Sequence, residues 1–340
     1  MNSSDMHWSQ MIDNSTPLDP IISDNITCII YHPLHLNGNI GEVPDKEPIM
    51  KFIKLHDKTD SGNITELSLN SFTRILSTPC FIGILFKNGE IIGTMFTLIF
   101  RTTQLLTTYT TFLCIHKSER EQGLAMILIR SIMKEGYLKY GITHGYYMSY
   151  NTHHDINVII NSWYRPINIS KLSIAGFTLQ DFSNIKLADT KQRLYYHVVT
   201  PKILPIKATI KSYQLFTIIA KHGTIYLTPT KQEYKWLLQC FDIYLVGTSG
   251  LFMLFPISCI ISSTKIYSAN LSLMIGDVLP QVLWIAKENN YDLLYGWYTG
   301  DITTEKVSSI KGLTTVATQY LEFYNTKQPT LPDNFLMPIF

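Results

Sequence analysis

Twice along this 340-residue chain the same order recurs: an apolar run, a tight polar turn, a second apolar run, a third extended run, a helical period and a closing extended run. In the first copy Phe81–Phe86 passes through Lys87-Asn88-Gly89-Glu90 into Ile91–Phe100, and Leu105–Ile115 follows. Leu124–Tyr140 then sets Leu124, Ile127, Leu128 and Ile132 on one helical face, with Gly141 behind it and His144–Tyr150 beyond. Asn-Gly between two β-rich runs is a strong hairpin signal, and the shift of apolar period to about 3.6 residues marks the helix. In the second copy Ile243–Val246, the turn Gly247-Thr248-Ser249-Gly250 and Leu251–Ser262 read as a hairpin, Lys265–Ile275 as a strand, Val278–Glu288 as a helix and Tyr291–Trp297 as a strand. Turn glycine to third-strand end has nearly the same length in both copies, Gly89 to Leu113 and Gly250 to Met274. The order predicts a duplicated α+β chain of two pseudo-symmetric halves, 1–195 and 196–340, each a mixed sheet flanked by helices.

Composition removes whole classes of function. Apolar residues make up 46% and charged residues 16%, so the chain buries a core rather than staying disordered. The 28 basic and 26 acidic residues are interspersed, which excludes the basic footprint of a nucleic-acid binder. Neither Phe81–Phe100, cut by Lys87-Asn88-Gly89-Glu90, nor the short Leu251–Ile261 with Pro256 supplies the roughly 18 unbroken apolar residues of a membrane span. Met1 to Pro20 holds no apolar run after a basic start, so no secretory signal is expected and a cytoplasmic monomer is. Cys28, Cys80, Cys114, Cys240 and Cys259 are odd in number and lack a C-x-x-C pair, which predicts reduced, buried thiols and no metal site. From Met1 to about Leu69, with Pro17, Pro20, Pro33, Pro44 and Pro48, the chain reads as loop that wraps the rest.

At the joint of third strand and helix stands Arg120-Glu121-Gln122-Gly123-Leu124-Ala125. A glycine opening a helix offers backbone N–H groups to a pyrophosphate at the positive end of the helix dipole. Ser118-x-x-Glu121 also spells a capping box, which would start the helix earlier and bury Gly123 in its first turns. Other polar groups have ordinary explanations. His153-His154-Asp155 are adjacent on an extended segment and point to opposite faces. Asp301 and Glu305 fit a solvated helix start, and Ser249 lacks a G-x-S-x-G frame.

An Arg-x-x-Gly-x-Ala loop after a long strand resembles the acyl-CoA site of the GNAT superfamily. Phe112-Leu113-Cys114-Ile115-His116-Lys117 is similar to the F-L-C-V-H-K segment of N-myristoyltransferases, and Leu128-Ile129-Arg130-Ser131-Ile132 to the L-I-R-E-I that follows it. Trp163-Tyr164-Arg165-Pro166-Ile167-Asn168-Ile169-Ser170-Lys171-Leu172 resembles W-H-R-S-L-N-P-x-K-L. Leu283-Trp284-Ile285-Ala286-Lys287 with Tyr291-Asp292 resembles L-x-L-A-K and F-D, and Phe323-Tyr324-Asn325-Thr326-Lys327 resembles L-Y-N-W-K. Near the start, Met6-His7-Trp8 stands where that family has Q-F-W.

The resemblance implies two GNAT-like halves. It implies myristoyl-CoA as co-substrate, with no permanently bound cofactor, and a peptide or protein with an N-terminal glycine as acceptor. By it, the backbone amides of Phe112 and Leu113 form an oxyanion hole. Met6, His7, Trp8, Cys114, Ile115, Glu121, Gly123, Leu124 and Ala125 line the CoA, and the carboxylate of Phe340 takes the proton of the glycine amine. The apolar run Phe335-Leu336-Met337-Pro338-Ile339-Phe340 suits a buried end. Departures accompany the matches. The family's R-S-K-R loop is Arg120-Glu121-Gln122-Gly123, its Y-T-A-G strand is Tyr147-Met148-Ser149-Tyr150, and its G-D-G is Thr315-Val316-Ala317. Its acidic peptide-receiving loop is reduced to Asp57, Asp60 and Glu66. These changes predict weaker CoA binding and leave peptide preference and activity open.

Overall fold

The computed structural model describes residues 25–56, 64–66, 68–103, 106–149, 157–177, 200–221, 225–297, 314–324 and 335–336. The first half runs β1 (Ile26–Tyr31), α1 (Lys46–His56), β2 (Ile64–Glu66), α2 (Leu69–Leu76), β3 (Cys80–Lys87), β4 (Glu90–Arg101), β5 (Leu106–Ile115), α3 (Leu124–Tyr140), β6 (His144–Ser149), β7 (Asn157–Pro166) and α4 (Ile169–Ile174). The second runs β8 (Ile206–Lys207), α5 (Tyr213–Ile219), β9 (Ile225–Tyr226), α6 (Lys231–Cys240), β10 (Asp242–Val246), β11 (Gly250–Ile261), β12 (Thr264–Ile275), α7 (Leu279–Glu288), β13 (Leu293–Trp297), β14 (Thr314–Tyr324) and β15 (Phe335–Leu336). The duplicated order read from the sequence is present, with α3 spanning the expected Leu124–Tyr140 and Gly141 as its left-handed cap.

The two sheets join into one. Its strand order is β1-β3-β4-β5-β6-β14-β7-β13-β12-β11-β10-β8, with β2 added on β11; β9 and β15 make a separate small pair. Within the large sheet β5–β6 and β12–β13 are parallel and their neighbours antiparallel. The join is an exchange: β7 leaves the first half to pair with β13, β14 leaves the second to pair with β6, and the two meet antiparallel at the centre. Helix α3 covers one face of the first half through Phe81, Leu85, Met95, Leu128 and Ile132. Helix α7 covers the second in the same way through Phe252, Leu254, Leu271, Val282 and Ala286. On the other face both halves share a core, in which Ile82, Phe96 and Tyr146 lie in one cluster with Met253, Phe255 and Leu273.

The expectation of loop up to about Leu69 does not hold. β1 adds to the sheet edge against β3, and α1 buries Ile49, Phe52 and Ile53. Pro48 is its third residue, where a missing N–H costs no helical hydrogen bond. All five cysteines are free; Cys80, Cys114 and Cys240 are buried, while Cys28 and Cys259 are only partly so.

A buried carboxylate pins the exchange. Asp292, 3% exposed, accepts from Lys171 Nζ at 2.6 Å, Asn168 Nδ2 at 3.1 Å and the Tyr267 amide at 2.9 Å. Its carbonyl takes the amides of Ile167 and Asn168. The turn after β7 is thus tied to the start of β13. Beside it Gly296 leaves room for the fully buried Trp163, whose ring a Cβ would strike. Asp292→Ala strips three donors of their acceptor and is expected to cost about 2–4 kcal/mol, read as an unfolding midpoint in denaturant. Gly296→Ala is expected to cost about 1–3 kcal/mol through overpacking.

At the far end of α3, Tyr140 Oη lies 3.2 Å from His32 Nε2 and 3.3 Å from His35 Nδ1, and His32 stacks on Phe81 at 4.5 Å. Burial, with smaller contributions from His35 and Lys139, pulls His32 from 6.5 down to about 3. The unfolded chain therefore binds a proton that the folded chain refuses between those values. The stability this refusal supplies is whole above about pH 6.5 and is lost as pH falls toward 3. His32→Gln is expected to shrink the drop in melting temperature between pH 7 and pH 5.

Candidate functional site

β5 departs from regular pairing where the sequence singled out Phe112 and Leu113. Thr111 pairs with Phe96 and Cys114 with Thr94, so two β5 residues stand opposite the single Met95. This is a β-bulge. Phe112 takes a left-handed φ of 50°, a conformation costing a side-chain-bearing residue about 1–2 kcal/mol. Its ring packs edge-on against Phe96 at 5.5 Å, which holds the strained turn. On the other side, the parallel rungs from β5 to β6 end at Thr110–Tyr147, although β5 continues to Ile115 and β6 to Ser149. Phe112 and Leu113 therefore sit outside both ladders, at the mouth of an opening between two parted strands. Leu113 is 42% exposed there.

The loop from β5 to α3 is built by local bonds. The His116 amide closes on Ile92 O at 2.8 Å, and its Nδ1 accepts from the Ser118 amide at 3.2 Å. Lys87 Nζ meets Glu119 Oε2 at 2.7 Å. Arg120 donates through Nε to Ile115 O at 3.2 Å and through Nη2 to His56 O at 3.1 Å, so this cation staples the loop to the end of α1. After a single 3-10 turn, Lys117–Glu119, Glu121 and Gly123 take φ of 65° and 75°. Helix α3 then starts at Leu124 with no side-chain cap. The capping box is not formed, and the uncapped glycine start is the one present. A Cβ at Gly123 would meet nothing within 4 Å; glycine is set there by its backbone angle, and the space beside it is open. Amides flanked by left-handed residues at a helix start form an anion-binding concavity.

The structure thus brings Phe112, Leu113, Cys114, Ile115, Glu121, Gly123, Leu124 and Ala125 into one strand–loop–helix unit. Only the backbone of several can face a ligand: Cys114 and Leu124 are buried, and Ile115 packs against the position of Gly93. Glu121 is exposed and brings a negative charge to the loop. Met6, His7, Trp8 and Phe340 lie outside the described residues, as do His153-His154-Asp155, Asp301 and Glu305. Tyr147 and Met148 on β6 fill space beside the opening, packing against Met133 and the shared core respectively. Among the described residues no group of three or more His, Cys, Asp or Glu could hold a metal ion, and no helix is long and apolar enough to cross a membrane.

Residues that link the halves around this unit were not singled out in the sequence. Arg101, at the end of β4, chelates Glu233 of α6 with contacts of 2.9–3.1 Å. Asn168 and Lys171 lie in one quoted motif and Asp292 in another, and the structure clasps the two motifs together.

A bulged third strand and a parallel pair whose rungs stop short, both found twice within one sheet, define a mixed α+β fold of two GNAT-like halves. No family model matches the chain, and no curated protein matches it by sequence. Solved structures do match. Saccharomyces cerevisiae N-myristoyltransferase with bound myristoyl-CoA superposes with a TM-score of 0.72 at 13% identity, covering 95% of this chain and 89% of that one. The same enzyme with myristoyl-CoA and inhibitors gives 0.72 at 15% identity, covering 96% and 86%. A candidate acetyltransferase from Pyrococcus horikoshii gives 0.56 at 9% identity, covering 95% and 98%. The chain has the fold of these proteins over nearly its whole length.

Two substitutions probe the loop. On the expectation that this helix start receives CoA phosphates, Glu121→Lys is expected to tighten acyl-CoA binding about two- to fivefold at low salt by placing a cation near it, with the gain vanishing at high ionic strength. Gly123→Ala is expected to weaken the same binding and lower stability by about 1 kcal/mol, because alanine resists the left-handed angle. Titration calorimetry at two salt concentrations reads both.

Proposed function

We propose that this chain is an acyl-CoA-dependent N-acyltransferase that moves a myristoyl group from myristoyl-CoA to the N-terminal glycine amine of a peptide or protein. The observation that carries the reading is the bulge at Phe112–Leu113, opening between β5 and β6 one loop before the uncapped start of α3. In this reading the CoA pyrophosphate rests on the amides around Gly123, Leu124 and Ala125. The thioester carbonyl points at the amides of Phe112 and Leu113, which stabilise the oxyanion that forms on attack. Preorganised donors of this kind supply about 2.7–4 kcal/mol each. The glycine amine, with an ordinary pKa of about 7.7–8.0, gives up a proton before it attacks. The acceptor for that proton, carried over from the resemblance, is the Phe340 carboxylate. β15, which ends four residues earlier, lies against β12. The amide forms, CoA leaves as thiol, and no covalent enzyme intermediate is needed.

The finer assignments, myristoyl and glycine, rest on the quoted motifs, and a ligand series tests them. A ligand held about a hundredfold above its Kd stabilises the folded state by about 2.7 kcal/mol, so myristoyl-CoA is expected to raise the melting temperature by a few degrees, and more than acetyl-CoA does. Preference for acetyl-CoA would redirect the reading to a short-chain acetyltransferase. Binding without CoA release across N-terminal-glycine peptides would leave a non-catalytic acyl-CoA binder. Two residues appended after Phe340 are expected to abolish CoA release while leaving myristoyl-CoA stabilisation intact; unchanged turnover would remove the carboxylate from the mechanism.

A further inference from the structure

The second half repeats the opening of the first but not its phosphate loop. On β12, Ser272 is the extra residue of a bulge, since Leu254 pairs with Leu271 and Met253 with Leu273. The parallel rungs to β13 end at Leu271–Gly296, while β12 continues to Ile275. These are the two features found at Phe112–Leu113. The connection to α7, however, is only Gly276-Asp277-Val278. Val278 is buried and so close to Gly250 that a Cβ there would be 2.5 Å from its Cγ1. Val278 fills the space beside Gly250 at this helix start, and Pro280 leaves its first turn one amide short, so the open glycine start of the first half is not repeated.

One rung before this opening stands an amide. Asn270 is 8% exposed, and its side chain has no hydrogen-bond partner among the described residues; its main chain lies in the rungs to Phe255 and Tyr295, and its carbonyl also accepts from Ser272 Oγ at 3.4 Å. It pairs with Phe255 across the ladder and so faces the core that contains Phe255 and, from the first half, Tyr146, with Phe112 packed against it. It is the last residue on that face before the bulge, as Thr111 is in the first half. A carboxamide offers both an acceptor and donors, which matches a peptide group on both counts and has nothing to gain from an acyl chain. Its atoms are not among the buried unpaired ones, so water reaches them in the free chain and a peptide group can take that water's place.

We propose that Asn270 is a positioning residue that hydrogen-bonds the main chain of the acceptor peptide, holding it extended beside β12 whatever its side chains. This rests on the N-acyltransferase reading above and names how its acceptor is gripped. The test uses the full chain, myristoyl-CoA and the best acceptor from a pooled library of N-terminal-glycine octapeptides, with Asn270→Leu and Asn270→Ala. Asn270→Leu is expected to melt close to the wild-type temperature, because the Asn270 side chain makes no hydrogen bond to the described residues of the folded chain. It is expected to raise the peptide KM about five- to tenfold, the share of a single hydrogen bond, with kcat and the myristoyl-CoA Kd unchanged. Asn270→Ala is expected to raise KM equally. A set of peptides carrying one backbone ester each is expected to contain a member that weakens binding to wild type and costs nothing further in Asn270→Leu. An unchanged peptide KM in both variants would overturn the proposal alone, and so would a clear fall in the melting temperature of Asn270→Leu, which would make Asn270 a structural residue. A wild-type chain that binds no acyl-CoA and releases no CoA with any peptide would overturn the parent reading, and this one with it.

Discussion

The exchange of β7 and β14 across the centre of the sheet is the constraint from which the other features follow. Each half has a bulged third strand and a covering helix, but neither closes its own sheet; the strand that completes it comes from the other half. An exchanged strand adds rungs on both sides of the junction, so separating the halves would expose two sheet edges as well as the shared core. Asp292 holds the crossing in register by binding donors from the turn after β7 and from β12. A buried carboxylate with three donors penalises displacement of any of them, because its charge would be left uncompensated. Rigid halves are what allow an opening between parted strands to persist: the hydrogen-bonding groups at such a mouth would otherwise close on each other.

Within that frame the two halves diverge at one loop. In the first, eight residues from His116 to Gly123 separate strand from helix and end in an uncapped left-handed glycine; in the second, three residues do so and Val278 plugs the space. The two connections thus leave an open helix start in the first half and a filled one in the second. Arg120 supports the first of these. With its guanidinium committed to the carbonyls of Ile115 and His56, it holds the loop in shape and leaves the space beside Gly123 open.

How much of this the sequence discloses depends on the range of the interaction concerned. Asn88-Gly89 and the helical period of Leu124–Tyr140 are local signals, and hairpin and helix lie where those signals put them. Pro33, Pro44 and Pro48 disguise β1 and α1, because proline at a first turn and proline in a loop look alike without the partner strand. The strand exchange, the Arg101–Glu233 pair and the Asp292 clasp join residues more than a hundred positions apart, and no periodicity encodes them. Ser118-x-x-Glu121 is locally consistent with a cap; the left-handed angle at Glu121, imposed by a loop tied down through Arg120 and Glu119, decides against it. The oxyanion candidates were legible through family resemblance, whereas Asn270 carries no motif and becomes visible only as a polar side chain without a partner.

Glu121 raises a quantitative question that the fold helps to answer. Loss of two cations and gain of one carboxylate at a helix start removes attraction of a few tenths to about 1 kcal/mol per charge at an exposed site. The backbone amides around Gly123 are untouched by that change. Burial of an acyl chain is worth about 0.8 kcal/mol per methylene, so a dozen methylenes outweigh the lost charges several-fold, while an acetyl group does not. On the acyltransferase reading proposed above, affinity for acyl-CoA in a chain with this loop would come from the acyl end, and binding would depend more on acyl chain length than on salt.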